Sequence, residues 1–240
     1  MLTIDFNRIQ VKPGDTLLDL GCGEGRHTIG AYLSFPGAHI LGVDLSLKDL
    51  TTANQRLQEW QTDDVLAQGT QAQFICGDGF NLPFADHSFD HIICSEVLEH
   101  IPNYQSFFAE LHRLLKPGGN LCLSVPRAWP ERICWKLSDA YHEVEGGHVH
   151  IFKPADIHNL VTQFPYCARG QHGAHALHAP YWWLRCLFWR EGEQLWPVRL
   201  YHKFLVWDLM QRPWLTRTLD KLLNPVMGKS VVFYYEKQQS

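Results

Sequence analysis

Residues 17–28 read LLDLGCGEGRHT: an apolar run that ends on an aspartate and then passes through three glycines at alternate positions, Gly21, Gly23 and Gly25. Glycines there permit a tight bend at positive φ and let backbone amides approach a ligand at the N-terminus of the next helix, where Cβ atoms would obstruct. The segment therefore commits the chain to a strand–turn–helix unit that holds a nucleotide-like ligand at its turn. The dinucleotide fingerprint G-x-G-x-x-G needs its third glycine at position 26, and Arg26 stands there. A turn for NAD or FAD is the weaker reading.

Short apolar runs at 16–20, 38–43, 72–76, 89–94 and 120–125 recur with helical patterns between them, which is how βαβ units of a parallel sheet read. Ser46 precedes a helix with Asp49 three residues on, predicting a reciprocal capping box. The helix predicted over 104–115 ends in Lys116-Pro117-Gly118-Gly119, a type II turn in which Pro117 presets φ and Gly118 supplies a positive φ. A last strand is expected over 230–235.

Ligand contacts should gather at the carboxyl ends of such strands. GVDLS puts Asp44 at the second strand end, 23 residues past Gly21, where a carboxylate can accept from both ribose hydroxyls. CGDGF puts Asp78, Gly79 and Phe80 after the third strand, and FDHIICSEVLEHI carries Cys94 and Ser95 out of the fourth. In this order, residues 16–126 resemble the small-molecule class I methyltransferases that use S-adenosylmethionine (SAM), including those of quinone biosynthesis. The resemblance implies an α/β fold: a doubly wound, Rossmann-like, mostly parallel seven-stranded sheet with an inserted helical aromatic cap. It also implies SAM as cofactor, bound by Asp19, Gly21, Cys22, Gly23, Gly25, Asp44, Leu45, Asp78, Gly79, Phe80 and Ser95. Asp19 would hold the turn and the cofactor's ammonium, Asp78 would accept from the adenine amine, and Gly79 and Phe80 would flank the ring.

Methyl transfer is an in-line displacement for which positioning and desolvation supply much of the acceleration, and a base is needed only if the acceptor must lose a proton. The candidates near the acceptor are Glu96, Glu99 and His100 after the fourth strand, and Tyr141, His142, Glu143, His148 and His150 after the fifth; His148, Tyr141 and His100 are the expected catalytic contacts. Alternation would put His148 and His150 on one side of an extended segment. No metal is expected, because no recognisable third and fourth ligand accompanies them and His172, His175 and His178 lie near helix-breaking Gly173 and Pro180.

Composition shifts after residue 126. Six of nine tryptophans (Trp182, Trp183, Trp189, Trp196, Trp207, Trp214) fall in 182–214, and residues 181–228 carry seven Lys/Arg against four Asp/Glu in a chain of net charge −4. Val198, Tyr201, Leu205 and Leu209 predict an amphipathic helix over about 198–211. The chain reads as one domain, 1–240, with 1–126 holding the cofactor and 127–240 covering the acceptor through an insertion at about 180–228. The aromatic cover favours a small lipophilic or aromatic acceptor such as a quinol, isoprenoid or lipid precursor. Its basic, aromatic stretch 181–214 suits an anionic membrane surface, and stacking on single-stranded RNA would use the same residue types. An RNA nucleobase methyltransferase and a SAM-binding protein without transferase activity therefore stay open, although the overall acidity argues against a dedicated nucleic-acid binder. Seven scattered cysteines and the lack of a leader or an 18-residue apolar run lead to the expectation of a cytoplasmic protein, peripheral to membranes if 181–214 touches one.

Overall fold

In the computed structural model, which describes residues 2–144 and 146–239, the apolar runs become strands at the places their patterning requires. The strands are β1 (Thr16–Leu20), β2 (His39–Asp44), β3 (Gln71–Cys76), β4 (Phe89–Ser95), β5 (Leu115–Pro126), β6 (Tyr166–Ala174) and β7 (Ser230–Lys237). They form one seven-stranded sheet in the order β3-β2-β1-β4-β5-β7-β6. The first five are parallel, whereas β7 runs antiparallel to both β5 and β6. This is the doubly wound arrangement expected, and the reversal of strand order at β1/β4 opens a crevice at their carboxyl ends.

The helices are α1 (Arg26–Ser34), α2 (Leu47–Trp60), α3 (Asp63–Leu66), α4 (Tyr104–Leu114), α5 (Ala128–Leu137), α6 (Ala140–Glu143), α7 (Pro154–Val161), α8 (Ala179–Leu187), α9 (Trp196–Gln211) and α10 (Trp214–Met227). Alternation along the strands divides the core. Leu18, Leu20, Ile92, Leu121, Leu123 and Phe233 face α4 and α7, whereas Leu17, Ile93, Cys122, Val232 and Tyr234 face the N-terminal segment and α1. Each fully buried Leu or Ile contributes about 1.5–3 kcal/mol of burial, so apolar contact is the main anchor of both faces.

Several local expectations change. Ser46 Oγ accepts from the Asp49 amide at 3.3 Å, but the Ser46 amide bonds Asp44 Oδ1 at 2.8 Å, so the strand-end carboxylate does what Asp49 was expected to do. β5 starts at Leu115 rather than 120; Phe89 pairs with Leu115 and His91 with Asn120, and the turn, with Gly118 at φ +77°, is an excursion within the strand. β6, rich in polar residues, lacks an apolar signature because it is an edge strand paired only with β7. Along α9 only Val198 and Leu205 are buried; Tyr201 is half-buried and Leu209 exposed, so the predicted apolar stripe closes on the fold over half its length.

The cap tryptophans divide into two sets. Trp182, Trp183 and Trp189 pack, with Trp135, around buried Cys134, Tyr141 and Cys186. Trp196, Trp207 and Trp214 are exposed on α9 and α10. No helix among the described residues is long and apolar enough to cross a membrane.

Candidate functional site

The glycine turn leaves β1 beneath β2. The Gly21 and Cys22 amides both donate to the Val43 carbonyl, at 2.8 and 3.1 Å, which ties the turn to the neighbouring strand. Gly21 lies at φ +76°, and a Cβ there would stand 2.3 Å from a Val97 methyl, so the segment after β4 can lie on the turn only because residue 21 is glycine. A Cβ at Gly23 would meet nothing within 4 Å: the turn is open on the side where a ligand would lie. Cys22 is buried, and burial pushes its thiol up, so it packs rather than reacts.

Three carboxylates frame the crevice. Asp19, buried at the end of β1, accepts the Thr28 hydroxyl at 2.7 Å and so locks the turn to α1. Burial raises its carboxyl to about 6. An ammonium placed beside it would favour its ionised form. Asp44 accepts the Gly23 amide on Oδ2 at 2.7 Å and the Ser46 amide on Oδ1 at 2.8 Å. Each oxygen keeps a lone pair for a ribose hydroxyl. Asp78 Oδ1 caps the Phe80 amide at 3.0 Å. Its loop is pinned to α4: Glu110 accepts the Leu82 amide at 2.8 Å, and Arg113 bonds Glu110 together with the Leu82 and Phe84 carbonyls. The Arg113 guanidinium holds the Glu110 carboxyl below its usual range. Gly79 packs closely on Phe107, and Phe80 meets Phe107 edge-on at 5.5 Å. Leu45 is 75% and Phe80 40% exposed, two apolar side chains left without cover where the base of a nucleoside would lie. These features fit SAM.

The segment leaving β4 carries the second half of the site. Ser95, Ser124 and Glu96 form a hydrogen-bonded chain, with Oγ–Oγ 2.8 Å and Ser124 Oγ donating to Glu96 Oε1 at 3.0 Å. Glu96 sits at φ +57°, a strained position for a residue with a Cβ and of the kind concentrated at functional sites. A 3-10 turn, Leu98–His100, follows. Glu99 is wholly buried, and among the described residues neither of its carboxylate oxygens has a hydrogen-bond partner. Burial, reinforced by Glu96, raises its carboxyl well above the usual range.

His148 reaches this turn through a glycine pair. A Cβ on Gly147 would stand 2.4 Å from the His142 carbonyl oxygen, so only glycine lets the chain pass. The Val149 and His150 amides then donate to the Glu99 carbonyl, at 2.8 and 3.1 Å. The His100 and His148 rings lie edge-to-face at 4.8 Å. His148 Nδ1 donates to buried Glu131 Oε1 at 2.5 Å, and Glu131 also accepts from Tyr141 Oη at 3.2 Å and Trp135 Nε1 at 3.1 Å. The expected trio His100, Tyr141 and His148 is therefore contiguous. The Tyr141 hydroxyl is engaged by Glu131 and pushed up by burial, which leaves it a donor and not a proton acceptor. His150 lies apart: its Nε2 bonds the Pro102 carbonyl and its ring packs on Tyr104 and Phe152. His142 stacks on Trp135 at 4.2 Å.

Residues 18–123 match the model of a methyltransferase domain, a span running from β1 through β5. That span, somewhat under half of the chain, is similar to methyltransferase domains. A sterol 24-C-methyltransferase of Gibberella zeae is 33% identical over 113 residues, 47% of this chain and 28% of that protein. A demethylmenaquinone methyltransferase of a Geobacillus species is 32% identical over 122 residues, 50% of this chain and 49% of that protein. The chain spans less than half the length of the curated relatives it matches. The SAM-dependent methyltransferase fold extends further: a Methanosarcina mazei structure of that description covers all of both chains at TM-score 0.63 and 17% identity.

Two contributors to the candidate site escaped the sequence. Glu131 sits on α5 without a motif around it, and only its burial among Trp135, Tyr141 and His148 marks it. Glu99 was legible as a carboxylate near the crevice, but its isolation from any partner depends on packing.

Proposed function

We propose that the protein transfers the methyl group of SAM to a small lipophilic or aromatic acceptor, in the class of quinols, isoprenoids and lipid precursors. The observation that carries this reading is the wall beside His148: Tyr141 contacts it at 5.6 Å between rings, and Trp182 and Trp189 pack behind Tyr141 at 5.9 and 6.0 Å. An apolar lining with one polar, hydrogen-bond-oriented imidazole suits an acceptor that is greasy apart from its reacting end. The names of the relatives, sterol and demethylmenaquinone methyltransferases, support the same class.

SAM supplies the electrophilic methyl. The chain's own part is to hold it through the glycine turn, Asp44 and Asp78, to exclude water with the aromatic cap, and to meet the acceptor with His148. The Glu131 carboxylate keeps the Nδ1 proton of His148 in place, which leaves Nε2 as the group that accepts a proton or a hydrogen bond from the acceptor.

The test supplies methyl-labelled SAM to the protein with fractionated cell extract. Label in the organic-soluble fraction supports the proposal. Label in RNA favours the nucleobase reading, and SAM binding without any labelled product would establish a SAM-binding protein that does not transfer methyl groups.

A membrane contact rests on a separate observation. Trp196, Leu200, Met210, Trp214, Leu222 and Val226 are each more than half exposed on α9 and α10, interleaved with exposed Arg199, Lys203, Arg212, Arg217 and Lys221. Apolar side chains fringed by cations match an anionic lipid surface. The surface that supports this contact is centred on 196–226, C-terminal to the 181–214 stretch.

A further inference from the structure

The group formed by Glu99, His100 and His148 has the makings of a metal centre. One donor atom from each lies within 4.8 Å of the others. Ligands around a tetrahedral ion with bonds of about 2.1 Å are separated by about 3.4 Å, so closure of an ångström or so completes the set. Each imidazole already has a partner on one ring nitrogen. His100 Nδ1 donates to the Gly147 carbonyl at 3.2 Å, and His148 Nδ1 donates to Glu131. Each ring is thereby fixed with its proton on Nδ1 and a lone pair on Nε2. An imidazole that ligates a metal is held in this way, by a carbonyl or carboxylate on its other nitrogen.

Glu99 supplies the independent observation. A wholly buried carboxylate with both oxygens unpartnered is costly in any state that does not bring it a cation. The spacing alone shows no recognisable third and fourth ligand, and the fold brings Glu99 to the two histidines.

We propose that Glu99, His100 and His148 bind one divalent first-row transition ion, with Glu131 orienting His148 from behind. Two imidazoles and one carboxylate form a donor set suited to zinc and its neighbours, and three protein ligands leave coordination positions open. Where the methyltransferase reading also holds, the ion takes the Nε2 lone pair of His148 and itself replaces that nitrogen in meeting the acceptor, so the open positions fit an acceptor oxygen and narrow the acceptor to phenols, enols and alcohols.

The site is tested without acceptor or SAM. Protein carrying no histidine tag is stripped with chelator and titrated with Zn2+ by calorimetry, and the Co2+ form is examined for visible absorption. The expected result is one ion per chain and the intense visible bands of a four- or five-coordinate cobalt ion with nitrogen ligands. Glu99→Gln and His148→Ala should abolish saturable binding, Glu131→Gln should weaken it about 10- to 100-fold, and His150→Ala should leave it unchanged. Wild-type protein that retains no ion, or that shows only the weak aqueous cobalt spectrum, overturns the proposal even if variants fail to fold. Equal binding by wild type, Glu99→Gln and His148→Ala does so too, because the ion would then sit elsewhere. SAM titration of the same samples keeps the two readings apart: loss of SAM binding with the metal site intact would count against methyl transfer and leave the centre standing.

Discussion

At the scale of single residues, Asp44 does a job that the sequence did not show. It was legible as a ribose acceptor, and it also staples the Gly23 amide to the start of α2. Asp44→Ala should weaken SAM by roughly 5- to 150-fold, about 1–3 kcal/mol, since it removes hydrogen bonds to a ligand and leaves two half-buried amides without their acceptor. Calorimetry reads this directly, and unchanged affinity would remove Asp44 from the site. His148 and Glu131 form a second unit. His148→Ala should lower turnover severely while SAM affinity holds, because it alters acceptor handling only. Glu131→Gln should lower turnover less, since an amide can still accept from Nδ1 yet no longer supports a positive imidazole. Equal losses in SAM affinity and turnover in both variants would point to collapse of the fold around α5.

At the scale of elements, the division of the tryptophans separates stability from surface function. Trp182 packs against Tyr141 and lies under the Lys229 ammonium at 5.2 Å. Trp182→Ala should cost about 1–3 kcal/mol of stability, the burial of a large side chain in part, and lower the melting temperature. Trp214, 76% exposed, has no such packing to lose. Trp214→Ser should leave the melting temperature nearly unchanged and reduce flotation with vesicles of anionic lipid. Flotation of the wild type should fade as salt rises and the attraction to lipid is screened. Wild-type protein that stays off anionic vesicles even at low salt would sink the membrane contact and leave α9 and α10 as an ordinary helical rim.

At the scale of the whole molecule, buried neutral histidines set the response to acid. His27 accepts the Thr3 and Ile4 amides on Nε2, and burial lowers it from 6.5 to about 3. His178 is lowered to about 4, and His175 well below its usual value, both by burial. Between pH 6.5 and these values the unfolded chain binds protons that the folded one does not, so stability falls as pH falls, by about 1.4 kcal/mol per unit for each such group. Asp19 acts in the opposite sense: its raised folded value, about 6, means that the native state binds the extra proton below it. Glu99, raised well above its usual range by burial, acts in the same sense as Asp19, whereas His112, lowered to about 4 by burial, joins the other three histidines, which together outnumber the two acids. Urea unfolding at pH 7.5, 6 and 5 should show a steep loss, and His27→Gln, which keeps an acceptor for the two amides, should flatten it by roughly the share of one group. An identical slope in the variant would show that His27 is not held neutral.

The sequence by itself determined the strand–turn–helix at residues 17–28, the parallel strands and the acidic strand ends at Asp44 and Asp78, because each is a local consequence of apolar alternation, glycine at positive φ and a carboxylate at a fixed spacing. It also drew His100, Tyr141 and His148 into one candidate set, since all follow strands whose carboxyl ends converge. Other features could come only from tertiary structure. β6 carries polar residues because it is an edge, the antiparallel insertion of β7 depends on a long return through the cap, and three cap tryptophans point inward while three do not. The pairing of Glu131 with His148 and the partnerless burial of Glu99 are likewise decided by packing between α5, the β4 exit and the segment after Gly147. Burial and hydrogen-bond partnership are properties of what surrounds a side chain, and for these residues the surroundings come from elements distant in sequence.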